Sequence, residues 1–174
     1  MKRAFKWIGG LLLVALIGLF AIGYTPDTDP SEMRAKYTNK ASQFVDVGGG
    51  LTMHVRDEGK RDGPVLVLLH GSNASLHTWE PWVSLLGAKY RIISLDQIGH
   101  GLTGPNPSGQ YDGAAFVSTL DALFTKMGVT RFALAGNSMG GYVAWEYALA
   151  HPGKLTHLVL VDAGGPPDDP NKKL

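Results

Sequence analysis

The sequence predicts an α/β protein built on a doubly wound, mostly parallel β-sheet with helices on both faces. Short, continuously apolar segments, which suit strands buried on both faces, alternate with segments whose apolar residues recur at helical spacing. A β-hairpin pattern precedes this alternation, and repeated β-α-β units place successive strands in one sheet. With 44% hydrophobic and 18% charged residues, the 174 residues have the composition of one globular domain.

The first predicted element is an apolar run over residues 7–24, WIGGLLLVALIGLFAIGY, which carries no charge. As a helix it would be about 27 Å long, close to the hydrocarbon thickness of a bilayer. Lys2, Arg3 and Lys6 precede it, and such cations mark the cytoplasmic end of a membrane helix. We therefore expect residues 1–24 to anchor the chain in a membrane, with the domain on the extracytoplasmic side, at a bacterial inner membrane facing the periplasm.

Two other interpretations of the run stay open. Ala21-Ile22-Gly23 is a small-x-small sequence of the kind that signal peptidases cut, and cleavage there would release a secreted domain. A buried core helix is the weaker alternative, because a core helix of this length is expected to show a polar face. Residues 25–42 are rich in Pro, Asp, Ser, Thr and Lys, and we predict that they form a tether between membrane and domain.

The domain is predicted over residues 43–174 and begins with an antiparallel hairpin. Apolar and polar residues alternate on both sides of Gly48-Gly49-Gly50, which predicts strands with one solvent-exposed face. Further strands are predicted over 65–69, 91–95, 132–135 and 157–161, with helices over 79–86, 114–127 and 138–150 between them. Reactive groups in such a sheet are expected in the loops at the carboxyl ends of the strands.

Composition excludes several classes of function. The chain has no cysteine, so disulfide scaffolds, thiolate zinc sites and cysteine nucleophiles are excluded. Without Lys2, Arg3 and Lys6, 13 basic and 15 acidic residues leave a net charge of −2. This charge gives no electrostatic basis for binding nucleic acid, and we predict neither a nucleic-acid partner nor a cofactor.

The first loop with chemical potential is Gly136-Asn137-Ser138-Met139-Gly140, between a predicted strand and a predicted helix. A Gly-x-Ser-x-Gly sequence in that position predicts a strained turn that exposes the serine hydroxyl as a nucleophile. Gly136 and Gly140 allow the close backbone approach that this turn requires. The alternative is a serine that only caps an ordinary helix. We predict that Ser138 is the catalytic nucleophile.

The second loop, His70-Gly71-Ser72-Asn73, follows the strand over 65–69. A tetrahedral intermediate needs two N–H donors, and one normally comes from the residue after the nucleophile, here Met139. We predict that the backbone N–H of Ser72, next to Gly71, is the other donor. His70 is predicted to support this loop through hydrogen bonds, with a role as general base as the weaker alternative.

The third loop runs from Asp96 to Gly104 after the strand over 91–95. Asp96 and His100 are a possible pair of metal ligands, but no third and fourth ligand follow at a recognisable spacing. We therefore predict no metal site and expect Asp96 to cap or brace a tight glycine-rich loop.

Taken in order, these motifs resemble the α/β-hydrolase fold family over about residues 43–165. The similarity lies in His-Gly at 70–71, Asp-x-x-Gly-His-Gly at 96–101, Gly-Asn-Ser-Met-Gly at 136–140 and His-Pro at 151–152. It is closest to the lipase, esterase and carbon–carbon-bond hydrolase branch. Relatives that are haloalkane dehalogenases or epoxide hydrolases carry aspartate at the nucleophile, so Ser138 favours acyl-type hydrolysis of a small ester-like substrate. The resemblance also implies the donors assigned to Met139 and Ser72.

The sequence departs from that family at its end. The family places a lid after strand six, and its catalytic acid and histidine after strands seven and eight. Here strand six includes 159–161, and we expect the chain to be the N-terminal part of a longer hydrolase, truncated after about strand six. His54, His77, His151 and His157 match no base of the family. Without a base the fragment is expected to be nearly inactive.

Asp162 is a possible acid in a variant arrangement, although an aspartate at that position more often closes a turn. The leading hypothesis is a membrane-tethered serine hydrolase that cleaves an ester or similar acyl bond. A carbon–carbon-bond hydrolase fits the same motifs. A truncated, noncatalytic hydrolase-like module is the alternative from a different class.

Overall fold

The computed structural model describes residues 2–25 and 27–165. The chain divides into two compact units, Met1–Lys36 and Tyr37–Leu174. The first unit contains helix α1 (Lys2–Gly23). Within it, residues 6–23 are long and apolar enough to cross a membrane, and their side chains are exposed. This assignment rests on length and composition, and a signal sequence near the N-terminus meets the same two criteria.

A second helix, α2 (Pro30–Tyr37), lies inside the segment predicted as a tether with little periodicity. Capping residues explain the formation of α2, because α2 has no buried residue and therefore no apolar face. The Asp29 carboxylate accepts a hydrogen bond from the Ser31 N–H at 2.7 Å, and Pro30 occupies the first helical position. Glu32 in the first turn suits the helix dipole. These capping signals were present in the sequence, but an apolar period was not.

The second unit is built on one six-stranded sheet. Its strands are β1 (Ser42–Gly48), β2 (Leu51–Gly59), β3 (Val65–Leu69), β4 (Arg91–Leu95), β5 (Phe132–Asn137) and β6 (Leu155–Val161). Their order across the sheet is β1-β2-β4-β3-β5-β6. The hairpin strands pair antiparallel with each other, and β2 pairs antiparallel with β4. The other three pairings, β4 with β3, β3 with β5 and β5 with β6, are parallel, so the sheet is mixed.

The prediction that the hairpin has one solvent-exposed face is wrong for β2. This strand lies between β1 and β4, and His54, Arg56 and Asp57 on it are buried together with its apolar residues. Partners compensate the buried charges: Arg56 pairs with Glu80 at 2.8 Å, and Asp57 accepts from Arg91 at 2.8 and 3.0 Å. Buried polar groups of this kind are tolerated because they are paired. The alternation of apolar and polar residues in β2 therefore indicates which way the side chains point, but it does not indicate which of them are exposed.

Helices cover both faces of the sheet, as predicted. Alternate residues of β3 show this, since Val67 and Leu69 join one core cluster whereas Leu66 and Leu68 join another. The first cluster also contains residues of α4 (Gly113–Lys126) and α5 (Met139–Ala150). The second contains Trp79, from a short 3-10 helix over Leu76–Trp79, and packs against side chains of α3 (Glu80–Leu86).

The strand order reverses at the centre of the sheet. From β3 the chain crosses to β4 on one side and then returns to β5 on the other. Ligands of doubly wound sheets bind in the crevice that such a reversal opens at the carboxyl ends of the strands. Leu69 lies opposite Leu95 on β4 and opposite Gly136 on β5, so the loops after these three strands begin at the same level.

Candidate active site

Ser138 stands at this reversal point, between the end of β5 and the start of α5. Its backbone has φ 52° and ψ −115°, a conformation that residues other than glycine rarely adopt. The surroundings hold it there: the Ser138 N–H donates to the Val161 carbonyl at 3.1 Å, and its carbonyl accepts from Gly164 at 3.0 Å and Tyr142 at 3.0 Å. Backbone strain of this kind persists only where neighbouring structure imposes it, and it concentrates at functional sites.

The Ser138 side chain is exposed and makes no capping hydrogen bond to α5, which begins at Met139. The alternative of a serine that only caps the helix is therefore wrong for this geometry, because a capping serine uses its hydroxyl to accept from the first turn. The hydroxyl is left free for another partner.

Two glycines make this turn possible. A Cβ at Gly136 would collide with the carbonyl of Gly140, and a Cβ at Gly140 would lie 2.5 Å from the His70 carbonyl oxygen. Real Cβ atoms essentially never approach so closely. This strand-to-helix turn over residues 136–140, the elbow, thus packs main chain against main chain, both within itself and against the loop after β3.

That loop brings Gly71 next to the serine. A Cβ on Gly71 would lie 3.3 Å from the Ser138 Cβ, and Ser72 follows as an exposed residue. On the other side, Met139 is the first residue of α5, where backbone N–H groups have no acceptor within the helix. Met139 and Gly71, the residue before Ser72, accordingly lie next to Ser138.

His70 is enclosed within the loops. It is fully buried, its Nδ1 lies 2.7 Å from the Gly71 carbonyl, and its Nε2 accepts from the Gln97 N–H at 3.1 Å. Burial lowers the pKa of His70 below its ordinary value, so the ring is neutral near pH 7. With both ring nitrogens engaged, His70 is placed to brace the loop and not to remove a proton from Ser138.

Asp96 organises the loop after β4. Its buried carboxylate accepts from the N–H groups of Leu76 at 2.8 Å and Leu102 at 2.9 Å, and from His54 Nδ1 at 2.8 Å. Burial by itself would raise the pKa of Asp96, but these hydrogen bonds outweigh burial and lower it. Three donors thus occupy the carboxylate oxygens of Asp96, which braces the loop as expected for a structural residue.

All six histidines lie in the part of the chain that the structure describes, and none hydrogen-bonds to Ser138. His54 contacts Asp96 and Ser42, His77 contacts Glu80, and His151 lies near Asp121. Residues 37–165 therefore present a candidate nucleophile and two candidate donors, with no histidine hydrogen-bonded to the serine.

The turn after β6 supports the elbow in a way that the sequence did not reveal. Val161 also accepts from the Asn137 side chain at 3.1 Å, and Trp145 Nε1 donates to the Gly164 carbonyl at 2.8 Å. Asp162, between these anchor points, is exposed and has φ 44°. No short-range pattern marks Gly164 or Trp145, because their contacts join residues 19 or more positions apart.

A sequence model of the α/β hydrolase fold matches residues 64–174. The chain belongs to the α/β-hydrolase fold family. The match covers the three loops described above and the strands that carry them. Hydrolysis is the activity for which this family is named.

Individual relatives differ in chemistry. The chain is 34% identical over 138 residues to a cis-3-alkyl-4-alkyloxetan-2-one decarboxylase of Xanthomonas campestris, which covers 75% of this chain and 46% of that protein. Among solved structures, a bacterial membrane phospholipase A described as a virulence factor matches with TM-score 0.69 and 28% identity, over 95% of this chain and 53% of that one. The epoxide hydrolase VrEH1 of Vigna radiata matches with TM-score 0.67 and 28% identity, over 76% and 43%. The chain thus spans about half the length of these proteins.

Replacing Gly140 with alanine is expected to lower the free energy of unfolding by about 3 kcal/mol, because the new Cβ must displace main chain that other contacts hold. Urea titration followed by tryptophan fluorescence measures this. Gly153→Ala is the matched control, since a Cβ there meets no atom within 4 Å, and its effect should stay within about 0.5 kcal/mol. Equal effects of the two substitutions would contradict the close packing of the elbow.

Replacing Asp96 with asparagine is expected to lower the free energy of unfolding by about 3 kcal/mol at pH 7, because an amide cannot accept from all three donors. Folding lowers the pKa of Asp96, so its carboxylate stabilises the fold fully at any pH above its unfolded pKa of about 3.9. This stabilisation is lost as pH falls through the folded pKa.

The measurement is the difference between wild type and Asp96→Asn in urea titrations from pH 7 to pH 3. It should shrink below about pH 4. Asp62→Asn, whose side chain is 83% exposed, is the control and should change stability little at any pH. A difference that does not vary with pH would show that Asp96 does not act through its charge.

Proposed function

We propose that this chain belongs to a membrane-anchored serine hydrolase that cleaves an ester or similar acyl bond. Ser138 is the nucleophile, and the backbone N–H groups of Met139 and Ser72 bind the oxyanion. The observation that carries the proposal is the conformation of Ser138: a strained φ of 52° at the end of β5, with the side chain exposed and free of a capping bond.

The chemistry follows from this geometry. The Ser138 hydroxyl adds to the acyl carbon while a base takes its proton, and the carbonyl oxygen becomes an oxyanion that accepts from the two N–H groups. Collapse of this intermediate expels the alcohol and leaves an acyl-serine, which water hydrolyses by the same steps. The loop contacts of Gly71 and the helix start at Met139 support the placement of both donors beside the serine.

The base is the part of this chemistry that the described residues 37–165 do not place beside Ser138. All six histidines lie in this range, and none hydrogen-bonds to Ser138. A serine without its base loses about 10⁴-fold or more in kcat. We therefore propose that residues 1–174 expressed alone are nearly inactive, and that the enzyme requires a histidine from further chain.

For the substrate we propose an acyl ester presented at a lipid surface. Two observations support this choice: α1 is long and apolar enough to hold the domain at a membrane, and the match to the membrane phospholipase A extends over 95% of the chain. Epoxide opening is not favoured, because relatives with that activity use a carboxylate at the nucleophile position and this chain has Ser138. Carbon–carbon-bond hydrolysis is the second candidate function, since the same serine and backbone donors suit it.

The domain is proposed to face the extracytoplasmic side of the membrane. Lys2, Arg3 and Lys6 at the start of α1 support this orientation, since cations flank membrane helices on the cytoplasmic side. Release of a secreted domain after cleavage near Gly23 is the alternative. Residues 1–24 as anchor, 25–42 as tether and 43–174 as hydrolase domain remain the proposed division of the chain.

The full-length protein is expected to react with a fluorophosphonate probe and to hydrolyse p-nitrophenyl butyrate. Ser138→Ala should abolish labelling and reduce kcat/KM by at least about 10³-fold, because the nucleophile is removed. Ser84→Ala, an exposed serine of α3, is the matched control and should react like the wild type. Labelling that survives Ser138→Ala would exclude Ser138 as nucleophile, and an inert wild type would favour a noncatalytic module.

Orientation can be measured with single cysteines, since these 174 residues contain none. In intact cells a membrane-impermeant maleimide should label Ser108→Cys, which is exposed on the loop after β4. Ala4→Cys should react only after permeabilisation, because residue 4 precedes the apolar span of α1 over residues 6–23. The reverse pattern would contradict the orientation, and Ser108→Cys recovered in the medium would indicate a cleaved signal.

A further inference from the structure

Gln97 is a buried side chain at the candidate site to which the chemistry above gives no role. It follows Asp96 in the loop after β4 and is 1% exposed. Its side-chain Nε2 donates to the His70 carbonyl at 2.7 Å, and its backbone N–H donates to His70 Nε2 at 3.1 Å. The amide nitrogen must be the atom that faces His70, because a carbonyl oxygen can only accept. A single residue therefore holds both the ring and the main chain of His70.

The bond from the Gln97 backbone N–H fixes the tautomer of His70. Because the Gln97 N–H donates to Nε2, that nitrogen carries no proton, and the ring proton must reside on Nδ1. Nδ1 in turn donates to the Gly71 carbonyl at 2.7 Å. Hydrogen bonds thus run in one direction, from the Gln97 backbone N–H through the His70 ring to the carbonyl of Gly71.

The orientation of the next donor follows from the planarity of the peptide. The Gly71 carbonyl and the Ser72 N–H belong to one trans peptide, and in a trans peptide these two groups point in opposite directions. Since the carbonyl is drawn inward to the buried His70 ring, the Ser72 N–H is turned outward. Gly71 itself lies against the Ser138 Cβ, so this outward side is the side of the nucleophile.

We propose that Gln97 is a positioning residue for the oxyanion hole: its side-chain amide holds the His70 main chain, which leads directly into the Gly71–Ser72 peptide, and so keeps the Ser72 N–H facing the developing oxyanion. This inference rests on the serine hydrolase function proposed above. Gln97 does not touch the substrate. Its effect appears when the oxyanion forms, because a preorganised donor acts on charge that develops in the transition state.

One feature of Gln97 separates this role from a contribution to stability. Its Oε1 is buried and has no hydrogen-bond partner among the described residues. A buried carbonyl without a partner destabilises the fold, so Gln97 is not the residue that stability alone would favour here. Methionine has a similar shape, lacks the unpartnered oxygen and lacks the donor. Gln97→Met removes the unpartnered Oε1 but leaves the buried His70 carbonyl without the Gln97 Nε2 donor, so one unpartnered carbonyl replaces another. The melting temperature should therefore change little while activity falls.

The test uses the full-length enzyme, with active sites titrated by a fluorophosphonate so that rates refer to folded protein. For Gln97→Met, kcat for p-nitrophenyl butyrate should fall about 10-fold with KM within about 2-fold. The affinity for a trifluoromethyl ketone, which forms a tetrahedral adduct, should fall by the same factor as kcat/KM. Gln43→Met on β1, where the glutamine is exposed, is the matched control and should leave all of these values unchanged.

A second pair of variants tests the link through His70. Asparagine at position 70 keeps a side-chain N–H near the place of Nδ1, whereas alanine keeps none, so His70→Asn should retain at least about 5-fold more kcat than His70→Ala. Unchanged kcat in Gln97→Met, or equal kcat in the two His70 variants, would overturn the proposal. A Ser138→Ala protein that stays active would instead overturn the serine hydrolase function itself.

Discussion

The close approach of two main chains at Gly140 is the contact on which the rest of the site depends. The start of α5 lies against the carbonyl of His70, with no room for a side chain between them. This contact brings the loop after β3 beside Ser138, and the paired strands β3 and β5 hold the two segments at the same level. The strained backbone of Ser138 is the consequence, since the chain must leave β5 and enter a helix within one residue.

Around this contact, buried polar residues hold loops that have few apolar residues of their own. Asp96 collects three donors, and Gln97 and His70 link the loop after β4 to the loop after β3. Such networks are stable only when their members are satisfied, and here one atom, Gln97 Oε1, is not. The proposed placement of the Ser72 N–H and the stability of the fold therefore depend on the same few residues.

Much of the architecture could be predicted from local patterns. Apolar runs placed β3, β4 and β5 within two residues of their observed bounds, because buried parallel strands need continuous apolar sequence. The same reasoning missed α2, whose helix depends on the Asp29 cap, and it misjudged β2, whose polar residues are buried against partners far along the chain. Periodicity records which way side chains point, whereas burial depends on which strand becomes the neighbour.

By itself the sequence determined the order of strands and helices along the chain after residue 42, the family, and the position of Ser138 in a strand-to-helix turn, because each is encoded by residues close together along the chain. Tertiary structure alone decided the conformation of Ser138, the burial of His70 and the orientation of the peptide before Ser72. It also decided that Gln97 and the turn at Gly164 support the site. The contacts of Gln97 with His70 and of Gly164 with Ser138 join residues tens of positions apart, and only the pairing of the strands brings them within hydrogen-bonding distance.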